Sequence, residues 1–143
     1  MTNILESFKK IQLNINKINS DKTVNIIAVS KTFPIEHIQP LIDYGHSHFG
    51  ENKVQEAVSK WTSLKKVNEN IKLHMVGRLQ SNKAKDAIKL FDYIHSLDSQ
   101  KLADVLSKHQ LSLDKQLKYF IQVNIGNETV SYTHLTLPTI VRV

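Results

Sequence analysis

The sequence has 143 residues, 41% hydrophobic and 22% charged, which suits one globular domain with a real core. It contains no cysteine, which excludes disulfides, thiolate metal sites and cysteine nucleophiles, and no apolar run approaches the roughly 20 residues of a membrane span. The formal net charge is +6, yet the lysines are interleaved with Asp and Glu, so the charge reads as a solvated surface and not as a nucleic-acid footprint.

Taken in chain order, the pattern alternates between helical and strand periods. Ile4, Phe8, Ile11, Ile15 and Ile18 fall three and four apart, which predicts a helix over residues 3–19 with one buried face and Asn3 and Glu6 as a capping pair. Residues 24–29 form a nearly continuous apolar run, the mark of a strand buried in a parallel sheet. Pro34 opens the next helix, whose stripe is Ile35, Ile38, Leu41 and Ile42, and Gly45 ends it. Residues 46–50 read as a short strand, followed by a helix carrying Val54, Val58, Trp61 and Leu64 on one face. A third strand is predicted over 71–76, then a helix from Ser81 to about Leu90, then a strand over 91–95. Asp98 or Ser99 caps a helix bearing Leu102, Val105 and Leu106, and residues 119–125 form a fifth strand. Five strands alternating with helices predict parallel βα units, which suits either a doubly wound sheet or a (β/α) barrel.

The residues with chemical potential fall where strands end. Lys31 follows the first strand, Glu51 and Asn52 the second, residues 77–82 the third, and residues 124–127 close the fifth. Parallel α/β folds place their chemistry at the carboxyl ends of strands. A lysine at the lip of a buried strand is expected to be partly desolvated, which favours the neutral amine that attacks an aldehyde. A lysine on the surface after a strand fits the position too. Asn52 could lie against or bond to a flat ring, while Glu51 beside it fits the positive end of a helix dipole. His46 and His48 would share one face of a strand, half of a metal site. No third ligand stands at a convincing spacing, so no metal is expected. His74, inside a strand, reads first as a core histidine. No dinucleotide fingerprint, P-loop or Ser-His-Asp order is present.

Three stretches read together say more: residues 27–32 (Ile-Ala-Val-Ser-Lys-Thr) with Pro34; Phe49-Gly50-Glu51-Asn52 with Val54-Gln55-Glu56; and His74-Met75-Val76-Gly77 with Leu79-Gln80-Ser81-Asn82-Lys83. In this order and spacing they closely resemble the pyridoxal phosphate homeostasis protein family, relatives of the amino-terminal barrel of alanine racemase, and Gln122-Val123-Asn124-Ile125 resembles a fourth family segment. The resemblance covers residues 1–128. It implies an α/β fold, an incomplete (β/α)8 TIM barrel of the alanine racemase N-terminal type with about five βα units. It also implies pyridoxal 5'-phosphate (PLP) on Lys31 as a Schiff base, with Asn52, His74 and Asn124 lining the same mouth. The implied function is intracellular PLP homeostasis by a non-catalytic carrier or buffer in the cytoplasm, with PLP-dependent apoenzymes as recipients and neither nucleic acid nor membrane as partner. A PLP-dependent racemase-like enzyme is the alternative.

The sequence departs from that pattern in length. A complete barrel needs eight strands and usually ~250 residues. The family's later strands bring the Ser- and Gly-containing loops that hold the phosphate, and this sequence shows five strands. The stretch Val130-Ser131-Tyr132-Thr133-His134-Leu135 looks like a translated transposon-end adapter used in DNA library preparation, so residues 129–143 are expected to be a non-native tail.

Overall fold

The computed structural model describes residues 3–18 and 24–126, so the expected tail at 129–143 lies outside the described residues. The elements run α1 (Ile4–Ile18), β1 (Ala28–Val29), α2 (Ile35–Tyr44), β2 (His48–Glu51), α3 (Val54–Val67) and β3 (Lys72–Met75). A short 3-10 turn (Ser81–Lys83), α4 (Ala84–Leu90), β4 (Tyr93–Leu97), α5 (Gln100–Leu113) and β5 (Lys118–Ile121) follow.

The five strands form one sheet in the order β1-β2-β3-β4-β5, every neighbouring pair parallel. A doubly wound sheet reverses its strand order at a switch point, whereas a barrel adds each strand beside the last. The consecutive order therefore makes this sheet an arc of a (β/α) barrel, with β1 and β5 as its two edges.

Several boundaries differ from expectation for local reasons. The apolar run 24–29 contributes only Ala28 and Val29 to the ladder, because β1 is an edge and pairs with β2 alone. The fifth strand ends at Ile121, leaving Val123 and Ile125 exposed. Phe91 is buried, but its N–H donates to Ala87 O as the end of α4, so β4 begins two residues later. Asn3 caps α1 by accepting from the Leu5 N–H, and no hydrogen bond returns from Glu6 among the described residues. Of the α1 stripe Phe8 is buried, with Ile4 and Leu5 packed on the core, while Ile11 and Ile18 are exposed, because α1 touches the domain through its first turns. Gly45, at φ 101°, turns the chain out of α2, and the His46 N–H reaches back to Leu41 O. Ser99 Oγ accepts from Leu102 N–H and caps α5 as expected, whereas Ser81 opens the 3-10 turn without a side-chain cap.

Strand alternation sorts the side chains to two faces. Phe49, Leu73, Met75 and Ile94 point to the helices, where they pack with Trp61, Ala84, Ala87, Ile88 and Leu106 into the core. Val29, Gly50, His74, Tyr93, His95 and Phe120 face the other way, into what a closed barrel would enclose.

Candidate functional site

The strand register fixes which residues stand level at the carboxyl end. Val29 pairs with Gly50, Glu51 with Met75, Met75 with Ile94 and Ile94 with Tyr119. One pleat further on stand His95 and Phe120 within β4 and β5, while Lys31, Asn52 and Val76 follow the ends of β1, β2 and β3, beyond the paired ladder. Val29, Gly50, His74 and Tyr93 form the row beneath. Gly50 is buried there without room for a side chain: a Cβ would meet Ile27 Cγ2 at 3.1 Å and Val76 Cγ1 at 3.3 Å.

Lys31 sits in a turn closed by the Phe33 N–H donating to Ser30 O. The expected desolvation is corrected: Lys31 is exposed, because β1 is a sheet edge and water reaches the turn. Asn52 is half-buried, and its Oδ1 is buried without a hydrogen-bond partner. The loop after β3 presses on it, since a Cβ on Gly77 would lie 2.7 Å from Asn52 Cβ. Asn124 lies beyond β5, exposed, with its Oδ1 accepting from the Gly126 N–H. It is thus engaged in a local turn and is not a strand residue.

His74 on β3 is buried and is engaged on both ring nitrogens. Its Nε2 lies 2.9 Å from His48 Nδ1 and its Nδ1 lies 2.8 Å from His95 Nε2. Tyr93 stacks on His74 at 4.1 Å, and Phe120 stacks on His95 at 4.4 Å. Burial, reinforced by His95 and His48 as neighbours of like charge, pushes His74 down to about 3, so the ring is neutral in ordinary buffer. His48 and His95 are lowered by burial as well. This string of imidazoles was readable in part: counting in twos from the core residues Phe49, Leu73 and Ile94 puts all three histidines on the opposite face.

The expected His46–His48 pairing does not form. His46 precedes β2, so strand alternation does not reach it; its Nε2 lies 2.7 Å from His48 O, and its ring packs on Phe8. Among the described residues no group of three or more His, Cys, Asp or Glu could hold a metal ion.

Glu51 is the residue whose setting the sequence reading missed. It is fully buried, not at the solvent end of a dipole, because it shares the core-facing side of β2 with Phe49. Its Oε1 accepts from Ser30 Oγ, Lys60 Nζ and Trp61 Nε1, each at 2.8 Å. The same alternation predicts a buried carboxylate at this position, although the partners nine and ten residues on are visible only in the structure.

An open arc of a (β/α) barrel, with a lysine and a carboxamide at its carboxyl end, defines the class. The chain belongs to the alanine racemase N-terminal domain family, whose model matches residues 7–129. It is 40% identical over 121 residues to the pyridoxal phosphate homeostasis protein of Buchnera aphidicola subsp. Schizaphis graminum, covering 84% of this chain and 52% of that one. The Escherichia coli protein of the same name is 36% identical over 110 residues, covering 76% of this chain and 47% of the relative. The chain thus spans about half the length of the curated relatives it matches. Among solved structures, PipY of Synechococcus elongatus with PLP bound superposes with a TM-score of 0.71 at 38% identity, covering 82% of this chain and 56% of PipY. An alanine racemase of Clostridium difficile, 15% identical with a TM-score of 0.57, shares the fold. No helix among the described residues is long and apolar enough to cross a membrane.

Proposed function

We propose that this chain is part of a pyridoxal phosphate carrier, in which Lys31 holds the cofactor's aldehyde as a Schiff base at the carboxyl end of the arc. The position of Lys31 and Asn52 just after the neighbouring parallel strands β1 and β2, at the carboxyl end of the arc, carries this reading. The residues present suit the ring end of the cofactor: an exposed amine and an unpartnered carboxamide oxygen. The bound cofactor supplies an aldehyde that condenses reversibly with an amine. The protein's part is to present Lys31 on a fixed turn after β1 and to offer Asn52 after the neighbouring β2. PipY with PLP bound, 38% identical, supports the assignment, as do the relatives named for pyridoxal phosphate homeostasis.

The reading extends to a cytoplasmic carrier without turnover that passes the cofactor to PLP-dependent apoenzymes. Racemisation needs a base placed to take the substrate's α-proton. Of the inner-face histidines, His74 gives both nitrogens to other histidines and His95 gives Nε2 to His74.

The test is to incubate the chain with pyridoxal phosphate, reduce with borohydride and map the label by peptide mass. The label is expected on Lys31, and Lys31→Ala is expected to lose the yellow absorption band. An undiminished band in Lys31→Ala ends the reading. Alanine racemisation above that of free pyridoxal phosphate, abolished by Lys31→Ala, would instead establish an enzyme.

A further inference from the structure

We propose that Glu51, Glu56 and Lys60 are positioning residues that clamp the backbone on both sides of Lys31; the proposal rests on the reading of Lys31 as the cofactor lysine. On the upstream side, the buried Ser30 donates its N–H to Gly50 O at 2.9 Å and its hydroxyl to Glu51 Oε1 at 2.8 Å. Its carbonyl, the one that precedes Lys31, accepts from Lys60 Nζ at 2.7 Å. On the downstream side, the Thr32 N–H donates to Glu56 Oε1 at 2.7 Å. The two halves meet on α3, where Lys60 pairs with Glu51 at 2.8 Å and with Glu56 at 3.7 Å. Trp61 Nε1 completes the anchor on Glu51 Oε1.

Two features mark this as more than a stabilising cluster. Thr32 has φ 65°, a left-handed conformation that a β-branched residue rarely takes, and the Glu56 carboxylate holds the N–H of that residue. Such strain persists only where its surroundings over-determine it, and it collects at functional sites. A buried ion pair, for its part, seldom adds net stability over apolar packing, and its best-attested use is to fix one arrangement among several. Here Lys60 and Glu51 are nearly inaccessible, at 8% and 0% side-chain exposure, and what they fix is the peptide before Lys31. With the backbone pinned on either side, the exposed Lys31 side chain starts from one place and one direction, which shortens its search for the aldehyde. In sequence terms, residues 30–32 are read by 51, 56 and 60, so the strand-end lysine and the helix after the next strand work as one unit.

The experiment uses the chain at low micromolar concentration with pyridoxal phosphate, brief borohydride reduction and peptide mapping. Exposed lysines on α5, Lys101 and Lys108, serve as references within the same molecule. Lys31 is expected to be labelled at least tenfold above them. In Glu56→Ala and Lys60→Met that ratio is expected to fall about fivefold or more while the circular dichroism melt is retained. Glu56→Gln keeps an oxygen for the Thr32 N–H and is expected to restore it. Glu51→Ala, which removes a fully buried group, is judged alongside these and not alone. An unchanged ratio in both Glu56→Ala and Lys60→Met overturns the clamp and leaves the Lys31 reading standing. A ratio that falls only where the melting transition is lost also counts against positioning. No preference for Lys31 in the unaltered chain takes down the cofactor reading, and the clamp with it.

Discussion

His95 Nε2 lies 2.8 Å from His74 Nδ1, so the buried ring of His74 is completed by a second histidine on the next strand, with His48 completing it on the other side. Three imidazoles joined in this way can all be neutral, with one N–H donated across each of the two links, and burial of His74 disfavours an added proton. The charged groups nearest the string are Lys72, Asp92 and Lys118. Lys72 disfavours an added proton on His48, while Asp92 partly offsets the penalty.

The first prediction is acid sensitivity with a defined sign. His74 titrates at about 3 in the folded chain and at 6.5 when unperturbed, so the unfolded state binds the proton first. Stability is full above about pH 6.5 and is lost as pH falls toward 3, by up to about 1.4 kcal/mol per pH unit for this one group. His48 and His95, also lowered, act in the same direction. Urea midpoints are expected to drop between pH 7.5 and 5.5 and to drop less in His74→Phe. A midpoint flat across that range would contradict the neutral string.

The second prediction separates partner from packing. His95→Leu removes the partner of His74 Nδ1 and the ring on which Phe120 stacks. A buried polar atom left unpaired costs about 1–3 kcal/mol. His95→Gln can offer an amide to the same nitrogen and is expected to recover part of that loss. Equal destabilisation by the two variants would assign the whole effect to stacking.

How far the sequence reached can be argued from Glu51 and Lys31. Periodicity located all five strands and all five helices, because each has a core-facing stripe set by residues such as Phe49, Trp61, Leu73 and Leu106. It misplaced strand ends at the edges, where Val24, Val123 and Ile125 are apolar but have no neighbouring strand to pair with. The family resemblance singled out Lys31, Asn52, His74 and Asn124, a choice that spacing alone left open. It could not show that Glu51 faces the core, that His46 and His48 part company, or that Asn124 closes a local turn, because these depend on where a strand starts and stops. Long-range partners such as Lys60 for Ser30 are set by helix packing and leave no local trace.

Gly77→Ala is the third prediction. A Cβ there would lie 2.7 Å from Asn52 Cβ and 2.8 Å from its Cα, and backbone cannot swing aside as a long side chain can. Overpacking of this kind typically costs about 1–3 kcal/mol. Because the displaced residue is Asn52, the Lys31 labelling ratio is expected to fall as well. Gly45→Ala serves as the contrast: its Cβ would meet nothing within 4 Å, but its φ of 101° makes it a strain of the turn alone. It is expected to lower thermal stability and leave the labelling ratio intact.

The last prediction concerns the open arc itself. A barrel removes sheet edges by closing, and this sheet presents two, β1 and β5. Apolar side chains near those edges are wet: Val29 is 48% exposed, Phe120 41%, Val123 54% and Ile125 94%. The run from Tyr119 to Ile125 carries Tyr119, Phe120, Ile121, Val123 and Ile125, a composition that recruits further strands. Among the described residues no glycine-rich loop is free to hold a phosphate, since Gly77 is spent against Asn52. The cofactor would then be held by the bond to Lys31 and contacts to its ring, without the charge-assisted hydrogen bonds worth roughly 1.5–3 kcal/mol each. Two such bonds are worth well over tenfold in affinity. The chain as it stands is therefore expected to be less soluble, to unfold at lower temperature and to bind pyridoxal phosphate at least tenfold more weakly than the same chain joined to the remaining strands of a curated relative. Sedimentation, thermal unfolding and a cofactor titration on the two proteins make the comparison. A monomeric, cooperatively unfolding arc with the affinity of the joined protein would show that its open edges carry no such cost.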